Sequence, residues 1–222
     1  MASSAAERIL LILIACGAVL IGPAAAQRQE ALPAGLDGVG VDERLDARVD
    51  LALSFRDESG KTIQLRDLVD GTLPVVLTLN YADCPMLCGL QLNALVNGGE
   101  AARAEGRTSG LMGLDWTPGQ EFVLLTVSFD ALEKPPLARK KKQNYMALYE
   151  RPAAEKGWHF LTGMRHNIQA LTEAVGFNMK WNADRREYAH PPVFVVCTPE
   201  GKVSQYLTGF VYESEDIKKA LA

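Results

Sequence analysis

The apolar and polar positions of this 222-residue chain change period several times, and each change marks an element. Leu51, Leu53 and Phe55 alternate, Asp57-Glu58-Ser59-Gly60 supplies turn residues, and Thr62 to Leu65 returns, which predicts a β-hairpin. Val75 to Tyr81 is a near-continuous apolar run, suited to a central strand buried on both faces. After Cys84-Pro85 the spacing turns helical, with Leu87, Leu90, Ala94 and Leu95 at intervals of three and four, ending near Asn97-Gly98-Gly99. A loop containing Gly106 to Gly119 leads to a second buried strand, Glu121 to Phe129. Lys134-Pro135-Pro136 opens a helix through Tyr145 and Tyr149, and Trp158 to Leu161 is a short strand. Arg165 to Val175 is a helix stopped by Gly176, with Met164, Ile168, Leu171 and Val175 as its apolar stripe. Lys180-Trp181 and Glu187-Tyr188 flank a hairpin turn at Asn182 to Arg186. Val193 to Cys197 is a third core strand, Pro199-Glu200-Gly201 turns into Val203 to Leu207, and Ser214 caps a last helix to Leu221.

Parallel crossovers followed by an antiparallel pair, with helices to cover both faces, predict one α/β domain with a thioredoxin-like central mixed sheet and an extra N-terminal β-hairpin. The domain is expected over 48–222. Residues 27–47 are rich in Gly, Pro, Ala and charge without an apolar period, and read as a flexible spacer. Residues 1–26 read as a secretory signal peptide: Arg8, the apolar run Ile9 to Ile21, and a small-residue end with cleavage after Ala26. The run is short for a membrane span. Retained, it would serve as an anchor, and Leu13-Ile14-Ala15-Cys16-Gly17 loosely resembles a lipoprotein box, although apolar residues continue past Cys16. A periplasmic, exported location follows, with membrane anchoring through an uncleaved leader as a variant of it.

Composition narrows the partners. The formal net charge is −4, and losing Glu7 with Arg8 leaves it unchanged. That gives no reason to expect a nucleic acid or an anionic membrane surface. Of four cysteines, Cys16 lies in the leader, leaving Cys84, Cys88 and Cys197. An odd number in a domain large enough for its own core argues against a disulfide framework.

Cys84 and Cys88 stand at a strand-to-helix elbow. Pro85 suits the first helical position, so Cys84 sits where unpaired amides and the helix dipole favour a thiolate. Cys88 is one turn further along the same face, so both sulfurs can converge. Three intervening residues instead of two leave a redox dithiol and a soft-metal site both open. Among the histidines, His166 points away from its helix's stripe and reads as solvated, while His159 reads as structural. His190, in Tyr188-Ala189-His190-Pro191-Pro192, lies on the loop that in a thioredoxin-like fold faces the first helix; Pro192 is the candidate for a cis proline there. Cys197 alternates with Val193 and Val195 and reads as a buried apolar residue. Arg139 to Lys142 reads as a solvated charged face, with docking of an acidic partner as the alternative.

The elbow Tyr81-Ala82-Asp83-Cys84-Pro85-Met86-Leu87-Cys88, the segment Val127-Ser128-Phe129-Asp130, Trp158 to Gly163 and the Tyr188 to His190 loop together resemble the Sco/SenC family. The resemblance runs in order from about Leu51 to Leu221. It implies a thioredoxin fold, copper as cargo bound through Cys84, Cys88 and His190, and a role in assembling the dinuclear copper site of cytochrome oxidase. The implied partner is the oxidase's copper-bearing subunit or another exported copper acceptor. The chain departs from the family pattern at Met86, at Ala189-His190-Pro191 and at Asp130-Ala131-Leu132-Glu133, positions that bear on partner choice and leave the three donors intact. The competing activity is thiol–disulfide reduction, with Cys84 attacking and Cys88 resolving. A peroxide-reducing role lacks a companion Thr or Arg arrangement.

Overall fold

A computed structural model of the chain describes residues 36–84 and 87–222. The signal-peptide reading, and the expectations for Pro85 and Met86, lie outside the described residues. In chain order the strands are β1 (Gly40–Val41), β2 (Ser54–Arg56), β3 (Thr62–Gln64), β4 (Val75–Asn80), β5 (Val123–Ser128) and β6 (Trp158–Gly163). They continue with β7 (Phe177–Asn178), β8 (Lys180–Asn182), β9 (Glu187–Ala189), β10 (Val193–Cys197) and β11 (Val203–Thr208). The helices are α1 (Leu87–Asn97), α2 (Gly99–Ala104), α3 (Pro135–Tyr149), α4 (Arg165–Ala174) and α5 (Ser214–Leu221). No helix among the described residues is long and apolar enough to cross a membrane.

Seven strands form one mixed sheet in the order β11-β10-β4-β5-β6-β2-β3. β4, β5 and β6 are parallel, and β10 and β11 complete one side antiparallel. β4 and β5 are buried at every position. Alternate side chains of each central strand therefore enter different cores. Val75, Leu77 and Leu79 join Leu125, Val195 and α4 residues Ile168 and Leu171 on one face. Val76, Leu124, Phe194 and Val196 join α1, α3 and α5 on the other, through Leu95, Tyr149 and Ile217. This is the expected period-two division of a doubly covered sheet.

The hairpin predicted near the N-terminus is not an appendage. β2 pairs with β6 and so extends the central sheet. The spacer reading also changes along its length. Within 27–47, Val41 pairs with Phe177, the Asp42 amide donates to the Gly176 carbonyl at 2.9 Å, and the Asp46 amide donates to the Val203 carbonyl at 2.9 Å. Gly176 has φ +63°, and a Cβ there would collide with the Asp42 carbonyl, so the glycine that stops α4 also admits this arm.

Three local expectations are corrected. A helix, α2, follows directly on Gly98, whose positive φ of 78° ends α1 and lets the chain restart. Ser214 is the first residue of α5, and its hydroxyl donates to the Gly110 carbonyl at 2.7 Å; the cap position belongs to Glu213. Met164 is 64 % exposed and caps α4 from outside its buried stripe.

Candidate functional site

Cys84, Cys88 and His190 meet at the carboxyl end of β4, the edge at which open α/β sheets place their sites. β4 delivers the loop through Tyr81 to Cys84, and α1 carries Cys88. β10 runs antiparallel to β4, pairing Phe194 with Thr78, so the residues just before β10 return to the end of β4. That topology brings His190 to a dithiol a hundred residues away. One donor atom from each of the three lies within 4.8 Å of the others.

Each donor is oriented by neighbours. The Cys88 amide donates to Cys84 Sγ at 3.2 Å, and the Tyr81 amide donates to Cys88 Sγ at 3.4 Å. His190 Nδ1 lies 3.2 Å from the Pro191 carbonyl, and Nε2 lies 3.3 Å from Cys88 Sγ. These partners assign the proton to Nδ1, leaving Nε2 as an acceptor for the Cys88 thiol or as a lone pair for a metal. Cys88 is fully buried and His190 is 4 % exposed, while Cys84 is half-buried. Burial pushes the Cys88 thiol well above the usual range, with the Cys84 hydrogen bond and charge adding to it; the Tyr81 amide and Lys141 act in the opposite direction.

Aromatic rings enclose the imidazole. Phe129 and Tyr81 stand edge-on to it at 5.2 and 6.3 Å between centroids, and Phe177 lies tilted at 6.1 Å. Tyr188 packs on both Tyr81 and Phe129, and its amide donates to the Tyr81 hydroxyl. Packing against these three rings thus restrains the buried His190 ring. The described peptide bonds are all trans, Pro192 included. Trans is the lower-energy form, and this loop reaches the sulfurs without a cis bend.

Two polar residues that sequence reasoning missed set the spacing. Gln91, fully buried on α1, donates from Nε2 to the Val193 carbonyl at 2.9 Å and accepts from Asn80 Nδ2 at 3.2 Å. It ties the helix bearing Cys88 to the strand that follows His190. Its signal in the sequence is a polar residue midway between Leu87 and Leu95, in the apolar stripe. Glu133 is also buried, accepting from the amides of Ala82 and Asp83 at 2.5 and 3.1 Å and from the Ser128 hydroxyl at 2.7 Å. Its carboxylate props the two residues ahead of Cys84, and burial outweighs these donors to push its pKa up.

The remaining candidates lie elsewhere. His166 is exposed on α4, and His159 on β6 stands beside Glu58 and Lys142 with its pKa lowered by burial. Cys197 is 3 % exposed inside the core, its thiol pushed up to about 12 by burial. The charged run on α3 is not a uniformly solvated face. Lys142 is buried, with Nζ 2.5 Å from Glu58 and 2.8 Å from the Glu155 carbonyl, and Arg139 donates to the Glu58 carbonyl at 2.9 Å. Lys141 donates to the Tyr81 carbonyl at 3.2 Å.

No protein-family model and no curated protein matches the sequence. Solved structures match in fold. A candidate electron transfer protein of Aquifex aeolicus VF5 superposes with a TM-score of 0.64 at 23% identity, over 80% of this chain and 92% of that one. BsSco, described as a member of the Sco family of cytochrome c oxidase assembly proteins and as having a disulfide switch, gives 0.55 at 18% identity, over 82% and 95%. Arabidopsis thaliana ScoI, solved with copper bound, gives 0.54 at 13% identity, over 76% and 93%. The chain has the thioredoxin-like fold on which these Sco proteins are built.

Proposed function

We propose that this chain is an exported Sco-type protein that carries copper on Cys84, Cys88 and His190 and passes it to an exported acceptor, the copper-bearing subunit of cytochrome oxidase first among them. The observation that carries the reading is the convergence of two thiols and one tautomer-fixed imidazole, from segments a hundred residues apart, within 4.8 Å. Two sulfurs and a nitrogen form a soft donor set, suited to Cu(I) and poorly suited to oxygen-seeking cations. The imidazole presents Nε2 with its other nitrogen bonded to a carbonyl, the usual support of a metal-binding histidine. Copper bound to a Sco protein of this fold, and the oxidase-assembly description of another, support the same reading. A periplasmic setting, with the leader cleaved or retained as an anchor, rests on the N-terminal sequence.

The test is competition for Cu(I) between the reduced protein and a chromophoric chelator, with His190→Ala beside wild type. The expected loss exceeds the roughly 10–100-fold typical of removing a supporting residue. Equal affinities would sink the three-donor reading.

A thiol–disulfide reductase is favoured by one observation: Cys84 is half-buried and adjoins a second thiol one helical turn away. In that case the metal-free protein would reduce a protein disulfide at a rate unchanged by His190→Ala.

A further inference from the structure

Cys88 and His190 are enclosed, so a partner meets the site through Cys84. Among the described residues, Cys84 opens on a groove of about 480 Å³ between α1 and α3. Asn93 of α1 and Lys140, Lys141, Asn144 and Leu148 of α3 line it, with Asp83 as its one carboxylate. Two ammonium groups against one carboxylate make the groove cationic on a chain whose net charge is −4. This is also where the basic run of α3 divides. Arg139 and Lys142 are committed to the β2–β3 turn and Glu58, whereas Lys140 and Lys141 line the groove, Lys141 while donating to the Tyr81 carbonyl at its rim. The two asparagine amides offer hydrogen bonds to an extended backbone, and Leu148, 38 % exposed, offers an apolar contact at one wall.

We infer that the α1–α3 groove docks the partner that exchanges with Cys84, and that it selects an extended segment whose cysteine is flanked by acidic residues. The inference rests on the proposal that Cys84 exchanges with a partner's thiol, and holds for metal transfer and disulfide exchange alike. Exposed lysines act mainly on encounter: they raise the rate for an acidic segment, slow a basic one, and lose influence as salt shortens the Debye length.

The test uses the reduced, metal-free protein and two synthetic peptides. Each carries one cysteine activated as a 2-pyridyl disulfide, flanked by glutamates in one peptide and by lysines in the other. The Cys84 thiolate attacks the peptide sulfur, the Cys84–peptide disulfide forms, and the S–S bond between the peptide sulfur and the pyridyl sulfur breaks with release of pyridine-2-thione, which is read optically. The thione carries away the electron pair, and no external oxidant is needed. The glutamate peptide is expected to react roughly tenfold faster at low salt, with the gap closing at about 1 M salt. Lys140→Glu is expected to reverse the order of the two peptides, an outcome that misfolding cannot mimic, and Lys140→Gln to fall between. Equal rates in wild type, or an order unchanged by Lys140→Glu, overturns the inference. A parallel copper titration separates the two readings: absent copper binding with the peptide order intact removes the cargo and keeps the groove, and the converse removes the groove alone.

Discussion

Gln91 acts as a spacer between two halves of the site. Its amide bridges Asn80 on β4 and the carbonyl at the start of β10, so Cys88 and His190 are held at a separation set by three hydrogen-bonded groups. Gln91→Leu fills similar space but strands the Val193 carbonyl and the Asn80 amide. Urea unfolding is expected to show a loss of about 1–3 kcal/mol. Cu(I) competition should show a fall of roughly tenfold in affinity, in keeping with loss of a supporting residue, while the count of titratable thiols stays constant. An unchanged affinity beside the stability loss would make Gln91 structural only. Cys84, Cys88 and His190 were legible because a dithiol at a strand-to-helix elbow and a histidine ahead of a core strand are patterns of residue type and position. Glu133 was not, because nothing in Asp130-Ala131-Leu132-Glu133 shows that its carboxylate turns inward to the amides of Ala82 and Asp83.

At the scale of elements, α3 has two tasks. One face closes the core through Tyr145 and Tyr149, while Lys142 fastens the turn after β2 by its pair with Glu58. Lys142 has a side chain only 7% exposed, and Glu58 one of 19%. Lys142→Met is therefore expected to leave Glu58 uncompensated and to cost about 3 kcal/mol. Adding Glu58→Gln should restore part of it, because the stranded charge goes too; denaturant midpoints of the single and double variants read both effects. The helices and strands themselves were legible from periodicity. The role of Lys142 was not, since a run of four cations carries no mark of which one points inward. The place of the β2–β3 hairpin beside β6, with β3 at the sheet edge, was equally hidden, because pairing with β6 is a contact across a hundred residues.

For the whole molecule, buried thiols and phenols make the metal-free fold sensitive to alkali. Burial raises Cys197 from an ordinary 9.0 to about 12, and raises Tyr145 from 10.0 to about 12. A folded-state pKa above the unfolded one gives stability that is complete below the unfolded value and is lost as pH rises through the folded value. From about pH 9 upward, then, the unfolded chain sheds protons that the folded chain keeps, and stability falls by up to about 1.4 kcal/mol per pH unit for each such group. Cys197→Ala should flatten that decline between about pH 9 and 12, measured as the urea midpoint against pH. A decline as steep as that of wild type would show that Cys197 already ionises in the fold. The burial of Cys197 was legible from its alternation with Val193 and Val195. The sheet order around it was legible only as a class, since the sequence pattern sets which faces are apolar and leaves open which strand stands at each edge.

The arm that crosses Gly176 gives the domain a functional boundary. Val41 pairs with Phe177, whose ring lies beside that of His190, and Tyr206 holds the arm from the other side, accepting from the Arg44 amide. A preparation trimmed to start at Val49 keeps every strand of the central sheet, yet removes the partner of β7 and with it the strand that supports Phe177 beside the imidazole. One that starts at residue 36 retains both. Where the chain is cut thus decides whether a purified domain reports the affinity of the site or only the integrity of the fold.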